Sequence, residues 1–171
     1  RVWKGEGGRG EGVGNRSDRC QRKGQGQGEL RPVIVDAAVD VKLFLPVPGF
    51  EKAIAAARMF ELQAPRLIFS ETGNALWQYV RRRQTTAADA STALLKLAGL
   101  VAQPDETGLA TLAVEMACEL EHPVYDCTYL ALANRHHRPI LSADKRMLTL
   151  ARDRLGLETI PLDTINPEPS L

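Results

Sequence analysis

The chain has 171 residues, 44% of them apolar, with a formal net charge of +1 and three cysteines. That length supports one buried core and is too short for two ordinary domains plus linkers. No uninterrupted apolar stretch approaches the roughly 20 residues that span a bilayer, and the N-terminus lacks the apolar block of a secretion signal, so a cytoplasmic location is expected. Cys20, Cys118 and Cys127 show neither CxxC pairing nor His partners at zinc-finger spacing, which argues against a disulfide scaffold and structural zinc.

The first 30 residues hold seven Lys or Arg against four Asp or Glu and nine of the 14 glycines, with almost no apolar side chains. Such a segment cannot bury enough surface to offset the entropy of ordering and reads as a disordered leader, outside the domain and consistent with sequence translated upstream of a start codon, since the first methionine is Met59. A phosphate-touching arm of Arg16, Arg19, Arg22 and Lys23 is the alternative, interrupted by Glu6, Glu11 and Asp18. The remaining 141 residues carry 15 basic against 17 acidic side chains. A net of −2 gives no bulk support for nucleic-acid binding, so any such function must come from a local site. The domain is expected over 31–165, with 166–171 as a frayed tail.

From Pro32 onward short apolar runs alternate with helical periodicities. Val33, Ile34 and Val35 form a β-branched run suited to a buried strand, and similar runs at 67–69, 100–102, 139–141 and 159–162 predict further strands. Leu109, Leu112, Ala113, Met116, Ala117 and Leu120 repeat at three and four, predicting a helix. Helices are also expected over 53–62, 75–83, 87–97, 128–135 and 148–155. Strands interleaved with helices imply an α/β class, a mostly parallel sheet with helices on both faces.

Ligands of such sheets bind outside the carboxyl ends of the strands. Acids stand there repeatedly: Asp36 after Val33–Val35, Glu71 after the 67–69 run, Asp144 after the 139–141 run, and Asp126 in the first turn expected after Pro123. Each taken singly serves as a helix cap or dipole partner. Together they crowd: two carboxylates at about 4 Å repel by about 4 kcal/mol at an effective dielectric of 20, so a cluster of four implies a cation. All-oxygen ligation suits Mg²⁺ or Mn²⁺ with open positions for phosphate oxygens, and points to metal-assisted phosphodiester hydrolysis.

The segments Val33-Ile34-Val35-Asp36, Glu71-Thr72-Gly73-Asn74-Ala75-Leu76, Tyr125-Asp126-Cys127-Thr128-Tyr129-Leu130-Ala131-Leu132-Ala133 and Leu141-Ser142-Ala143-Asp144-Lys145-Arg146 together resemble PIN-domain ribonucleases, specifically the VapC toxins of toxin–antitoxin pairs. The resemblance spans about 33–162. It implies a PIN-like three-layer α/β fold with a five-stranded parallel sheet, and Mg²⁺ or Mn²⁺ bound by the catalytic Asp36, Glu71, Asp126 and Asp144. It further implies cleavage of single-stranded RNA regions by metal-activated water, a VapB-like antitoxin and a homodimer.

Secondary roles attach to Asn74, three residues after Glu71 on the same helical face, to Ser142, an N-cap or a hydroxyl near the fourth acid, and to Lys42, a phosphate contact or an exposed helical lysine. Two positions depart from the family pattern. Ala38 replaces a common serine, and Asp40 stands where relatives are apolar or small and is expected to face solvent. Trp77 is expected in the core or at a dimer face, with base stacking as the alternative. Cys127 beside Asp126 is a poor nucleophile, because a neighbouring carboxylate raises a thiol pKa. Rival readings remain: a phosphatase using Asp36 as nucleophile, which needs a second Asp where Ala38 stands; a PIN nuclease without an antitoxin; and a PIN-like binding module without activity.

Overall fold

Val33, Ile34 and Val35 are all fully buried, because strand β1 (Arg31–Val35) lies inside the sheet and is covered on both faces, as its unbroken apolar run requires. The computed structural model describes residues 30–167. The leader read over the first 30 residues therefore lies outside the described residues apart from Leu30, as does the end of the tail. In chain order β1 is followed by α1 (Ala37–Phe44), α2 (Phe50–Met59), β2 (Phe60–Gln63), α3 (Leu67–Arg81), α4 (Ala87–Leu100), α5 (Leu109–Leu120), α6 (Val124–His136), β3 (Ile140–Ser142), α7 (Lys145–Leu155), β4 (Thr159–Pro161) and a 3₁₀ turn (Leu162–Thr164). None of these helices is long and apolar enough to cross a membrane.

The strands are ordered β2-β1-β3-β4 and every pairing is parallel. The α/β class with a helix-covered parallel sheet therefore stands, with four strands among the described residues instead of the expected five. At the fifth position only an isolated bridge joins Gln63 to Ala102, fixed by hydrogen bonds from the Ala64 amide to the Ala102 carbonyl and from the Ala102 amide to the Leu62 carbonyl. Pro104 follows two residues later and has no N–H to extend a ladder.

Two further expectations are corrected. The 67–69 run is the first turn of α3, where the Ile68 and Phe69 amides reach back to the carbonyls of Pro65 and Arg66. Glu71 consequently stands in the second turn of a helix and not at a strand end. Residues 60–62, expected in the preceding helix, belong to β2, which follows α2 without a loop.

Helix α6 is the centre of the core: Cys127 and every residue from Tyr129 to Ala133 are buried. Its middle is apolar all round and suits an enclosed position, while its first turn brings the Asp126 charge within reach of Asp36 beyond the end of β1. Helix α1 is similarly enclosed, with Val39, Asp40, Val41 and Leu43 all buried. Asp40 thus does not face solvent as expected. It is 0% exposed and neither carboxyl oxygen has a hydrogen-bond partner among the described residues. Burial, reinforced by the Asp36 charge one turn away, pushes its carboxyl well above the usual carboxylate range.

An unpartnered buried polar group costs roughly 1–3 kcal/mol. Replacing Asp40 by valine should therefore raise the melting temperature of the metal-free protein by about 3 °C or more at neutral pH, measured by thermal unfolding with a chelator present. An unchanged or lower melting temperature would show that the site supplies Asp40 with a partner in solution.

Candidate active site

The strand order reverses between β1 and β3, since β1 leads outward to β2 on one side and β3 to β4 on the other. The crevice beyond the carboxyl ends of those two strands is the switch point at which open α/β sheets bind ligands. Asp36 follows β1 directly, and Ser142 closes β3 with Asp144 two residues on.

Asp36 is the N-cap of α1, accepting from the Val39 amide at 3.1 Å on Oδ1, while the Ser142 hydroxyl donates to Oδ2. It is only 3% exposed. Its carboxyl is pushed up to about 7: burial raises it most, the two hydrogen bonds oppose that rise, and the charges of Asp144 and Asp126 add to it. Ser142, itself fully buried, also accepts from the Asp144 amide at 2.8 Å, so one hydroxyl ties two of the acids together. Asp144 caps α7 through the amides of Arg146 and Met147 and is exposed toward the crevice mouth.

Glu71 accepts a hydrogen bond from the Tyr129 hydroxyl at 2.5 Å. Its carboxyl is raised by burial and by the Asp126 charge, against the lowering effect of that hydrogen bond. The Tyr129 hydroxyl is raised in turn by burial and by Glu71, Asp36 and Asp40, which places its ring beneath the acidic edge. Asp126 bonds His122 Nε2 at 2.7 Å, and that histidine is almost completely enclosed. Electrostatic coupling therefore links all four acids: Asp36 to Asp144 and Asp126, and Asp126 to Glu71.

His122 and Tyr129 are residues of the candidate site that sequence reasoning missed. The four-residue spacing from His122 to Asp126 was visible, but Pro123 separates them and hid the pairing across a helix start. Tyr129 lay inside a motif that reads as core. Among the secondary residues, Ser142 acts on both Asp36 and Asp144, whereas Asn74 is exposed one turn beyond Glu71. Lys42 donates from Nζ to the Pro48 carbonyl at 2.9 Å. Trp77 is not in the core: it is half-exposed, with the Arg81 guanidinium 4.9 Å above its ring. Cys127 is buried beside Asp126, and burial with that charge pushes its thiol up to about 11, far from a nucleophile.

Among the described residues no three His, Cys, Asp or Glu side chains close into a ready-made metal cage. The donor set nevertheless suits a hard divalent cation in its chemistry: it is all oxygen, it stands at one sheet edge, and the Asp36 carboxyl, raised chiefly by burial, is raised also by the Asp144 and Asp126 charges. The orphaned oxygens of Asp40, one turn inside, are a further sign of uncompensated acid.

The raised Asp36 carboxyl has a sign that can be measured. The folded protein holds a proton up to about pH 7 that the unfolded chain releases near its ordinary value of 3.8, so Asp36 makes metal-free stability fall as pH rises through that window. Asp36→Asn should flatten the fall between pH 5 and 6.5 by about 1.4 kcal/mol per pH unit in chemical unfolding with a chelator. Glu71 contributes with the same sign and remains in the variant. Parallel pH profiles for the two proteins would contradict the burial of Asp36.

The model of the family described as PIN domain matches residues 33–153. No curated protein matches the chain. Among solved structures, the crystal structure of PAE2754 from Pyrobaculum aerophilum aligns with a TM-score of 0.61 at 23% identity, covering 79% of this chain and 93% of that one. At that identity the likeness is one of fold. The family match runs from β1 into α7 and takes in Asp36, Glu71, Asp126 and Asp144, so the chain belongs to the PIN domain family.

Proposed function

We propose that the protein is a Mg²⁺- or Mn²⁺-dependent endoribonuclease that cleaves single-stranded RNA regions, acting in the cytoplasm as the toxin of a VapBC-type pair, with a VapB-like antitoxin and a homodimeric state. PIN domains are generally nucleases, which supports the hydrolase class. The observation that carries the reading is the electrostatic coupling of Asp36, Glu71, Asp126 and Asp144 at the switch point between β1 and β3.

These four residues would hold the metal, which when bound polarises the phosphate and lowers the pKa of a bound water. The rest of the work falls to side chains of the chain itself. Ser142 fixes the rotation of the Asp36 carboxyl and the Asp144 backbone, Tyr129 holds Glu71, and His122 holds Asp126. A carboxylate turned by a protein donor keeps its remaining lone pairs in one direction, so less is lost in ordering when a cation arrives. The proton carried by Asp36 near pH 7 must leave for a cation to bind, so metal affinity should rise with pH.

Asp36→Asn and Asp126→Asn should each abolish Mg²⁺-dependent cleavage of single-stranded RNA, a loss of at least about a hundredfold, while leaving the melting temperature unchanged or raised because a repelling charge is removed. Gel analysis of RNA fragments and thermal unfolding provide the two readouts. Retained cleavage in both variants would refute the site.

A further inference from the structure

Beside the acidic edge lies a cavity of about 300 Å³ bounded by α1, α2, the end of β3, α7 and the 3₁₀ turn. Three lysines line it, Lys42, Lys52 and Lys145, against one carboxylate, Asp163. Lys42 donates to the Pro48 carbonyl and Lys52 to the Asp163 carbonyl. Both partners are neutral backbone oxygens, so the bonds fix the ammonium groups without cancelling their charge, and none of the three lysines forms an ion pair among the described residues. Gly49 helps build the cavity: its φ is +94°, and a Cβ there would meet Lys42 Cδ at 3.2 Å. A larger residue would thus push the lysine stem out of place while adopting a strained backbone.

The remaining wall is apolar, from Pro48, Leu148, Pro161 and Leu162. The residue Ser142 also lines it, and its hydroxyl donates to Asp36. Net positive charge, an apolar wall and a position at the end of β3, where Ser142 bonds Asp36, describe a partner that is an anion at one end and apolar or aromatic at the other. The volume is at the lower end of the small-molecule range, the size of one nucleotide.

We infer that this cavity is a nucleotide subsite, in which Lys42, Lys52 and Lys145 hold a phosphate and the apolar wall receives the attached nucleoside. The site accepts either a free nucleotide or, given the nuclease reading, the nucleotide next to the cleaved bond of an RNA strand. Three ammonium groups beside an acidic cluster also answer a problem of charge. A polyanion approaching four carboxylates is repelled, and a cationic pocket one hydroxyl away attracts its next phosphate.

The test titrates the full chain with adenosine 5′-monophosphate, in the presence of a chelator so that no cation bridges phosphate to the acids, and follows amide resonances by NMR. Saturable shifts are expected around Gly49, Ala143 and Lys145, with much weaker shifts from adenosine. Lys52→Ala combined with Lys145→Ala should weaken binding about tenfold. The single charge reversal Lys145→Glu, at an exposed position whose ammonium has no hydrogen-bond partner among the described residues, serves as the second variant if the double one is unstable. With single-stranded RNA as substrate, the variants should raise KM about tenfold and leave kcat within twofold, whereas a merely structural role for the lysines would lower the melting temperature and kcat together.

Absence of shifts with the nucleotide, shifts confined to residues outside the cavity, or binding unaffected by the lysine variants each overturns the subsite. Shifts without any KM change assign the cavity to a free nucleotide and remove the strand. The nucleotide titration requires no cleavage, so loss of the nuclease reading, seen as RNA cleavage that survives Asp36→Asn, is a separate result.

Discussion

The Asp36 carboxyl, enclosed at the end of the central strand β1 and held by one serine hydroxyl and one amide, is the constraint on which the rest of the structure depends. It joins the two central strands at their carboxyl ends, since Asp36 leaves β1 and Ser142 ends β3. It starts α1, and through the Ser142 hydroxyl it sets the backbone from which Asp144 starts α7. A sheet with its switch point between these strands therefore acquires two helix starts and two acids in one crevice, from a single hydrogen-bonded unit.

Every acid at the edge has a protein partner of a different kind. Asp36 takes a hydroxyl and an amide, Glu71 a phenol, Asp126 an imidazole and Asp144 two helix amides. Partners of this kind lower carboxyl pKa values, yet Asp36 and Glu71 remain raised, so burial and mutual repulsion outweigh the donors there. The edge is accordingly a place where negative charge is arranged in space and only partly compensated by the chain. Hydrogen bonds orient the oxygens, and the residual repulsion leaves a preference for an added positive charge.

The parts of this arrangement legible in the sequence were those set by local pattern. Val33 to Val35 announced a strand covered on both faces, and Asp36 and Asp144 were found because acids follow strand ends. Strand β2 was hidden because helix α2, with Ala53 and Ala56 inward, passes into Phe60 without a turn residue, and only pairing with β1 makes 60–63 extended. The 67–69 run misled in the opposite sense: its apolar density suits a strand, but Pro65 and Arg66 supply carbonyls for a helix start and Ile68 packs inward. Glu71 was thus identified as an acid of the site from an incorrect local structure. Tyr129 meets Glu71 only by tertiary approach across 58 residues, which no spacing encodes, whereas the His122–Asp126 pair is local and was masked by Pro123 between them. Asp40 was assigned to solvent because charge normally is, although its position one turn after Asp36 on an enclosed helix already placed it under the same edge.

Asp40 and the three lysines make opposite use of burial. Leaving Asp40 without a donor in the core is a stability cost that an apolar side chain avoids, and burial beside the Asp36 charge favours its uncharged form. Lys42, Lys52 and Lys145 stay half-buried or exposed at a cavity wall, where water stabilises their charge and carbonyls fix two of them in place. The field thus changes sign across the Ser142 hydroxyl, from acid at the switch point to base in the neighbouring cavity. A ligand carrying negative charge is best accommodated by both only if it arrives with a cation on one side and places an anionic group on the other. A phosphodiester chain has that property at successive phosphates, and a single small anion does not.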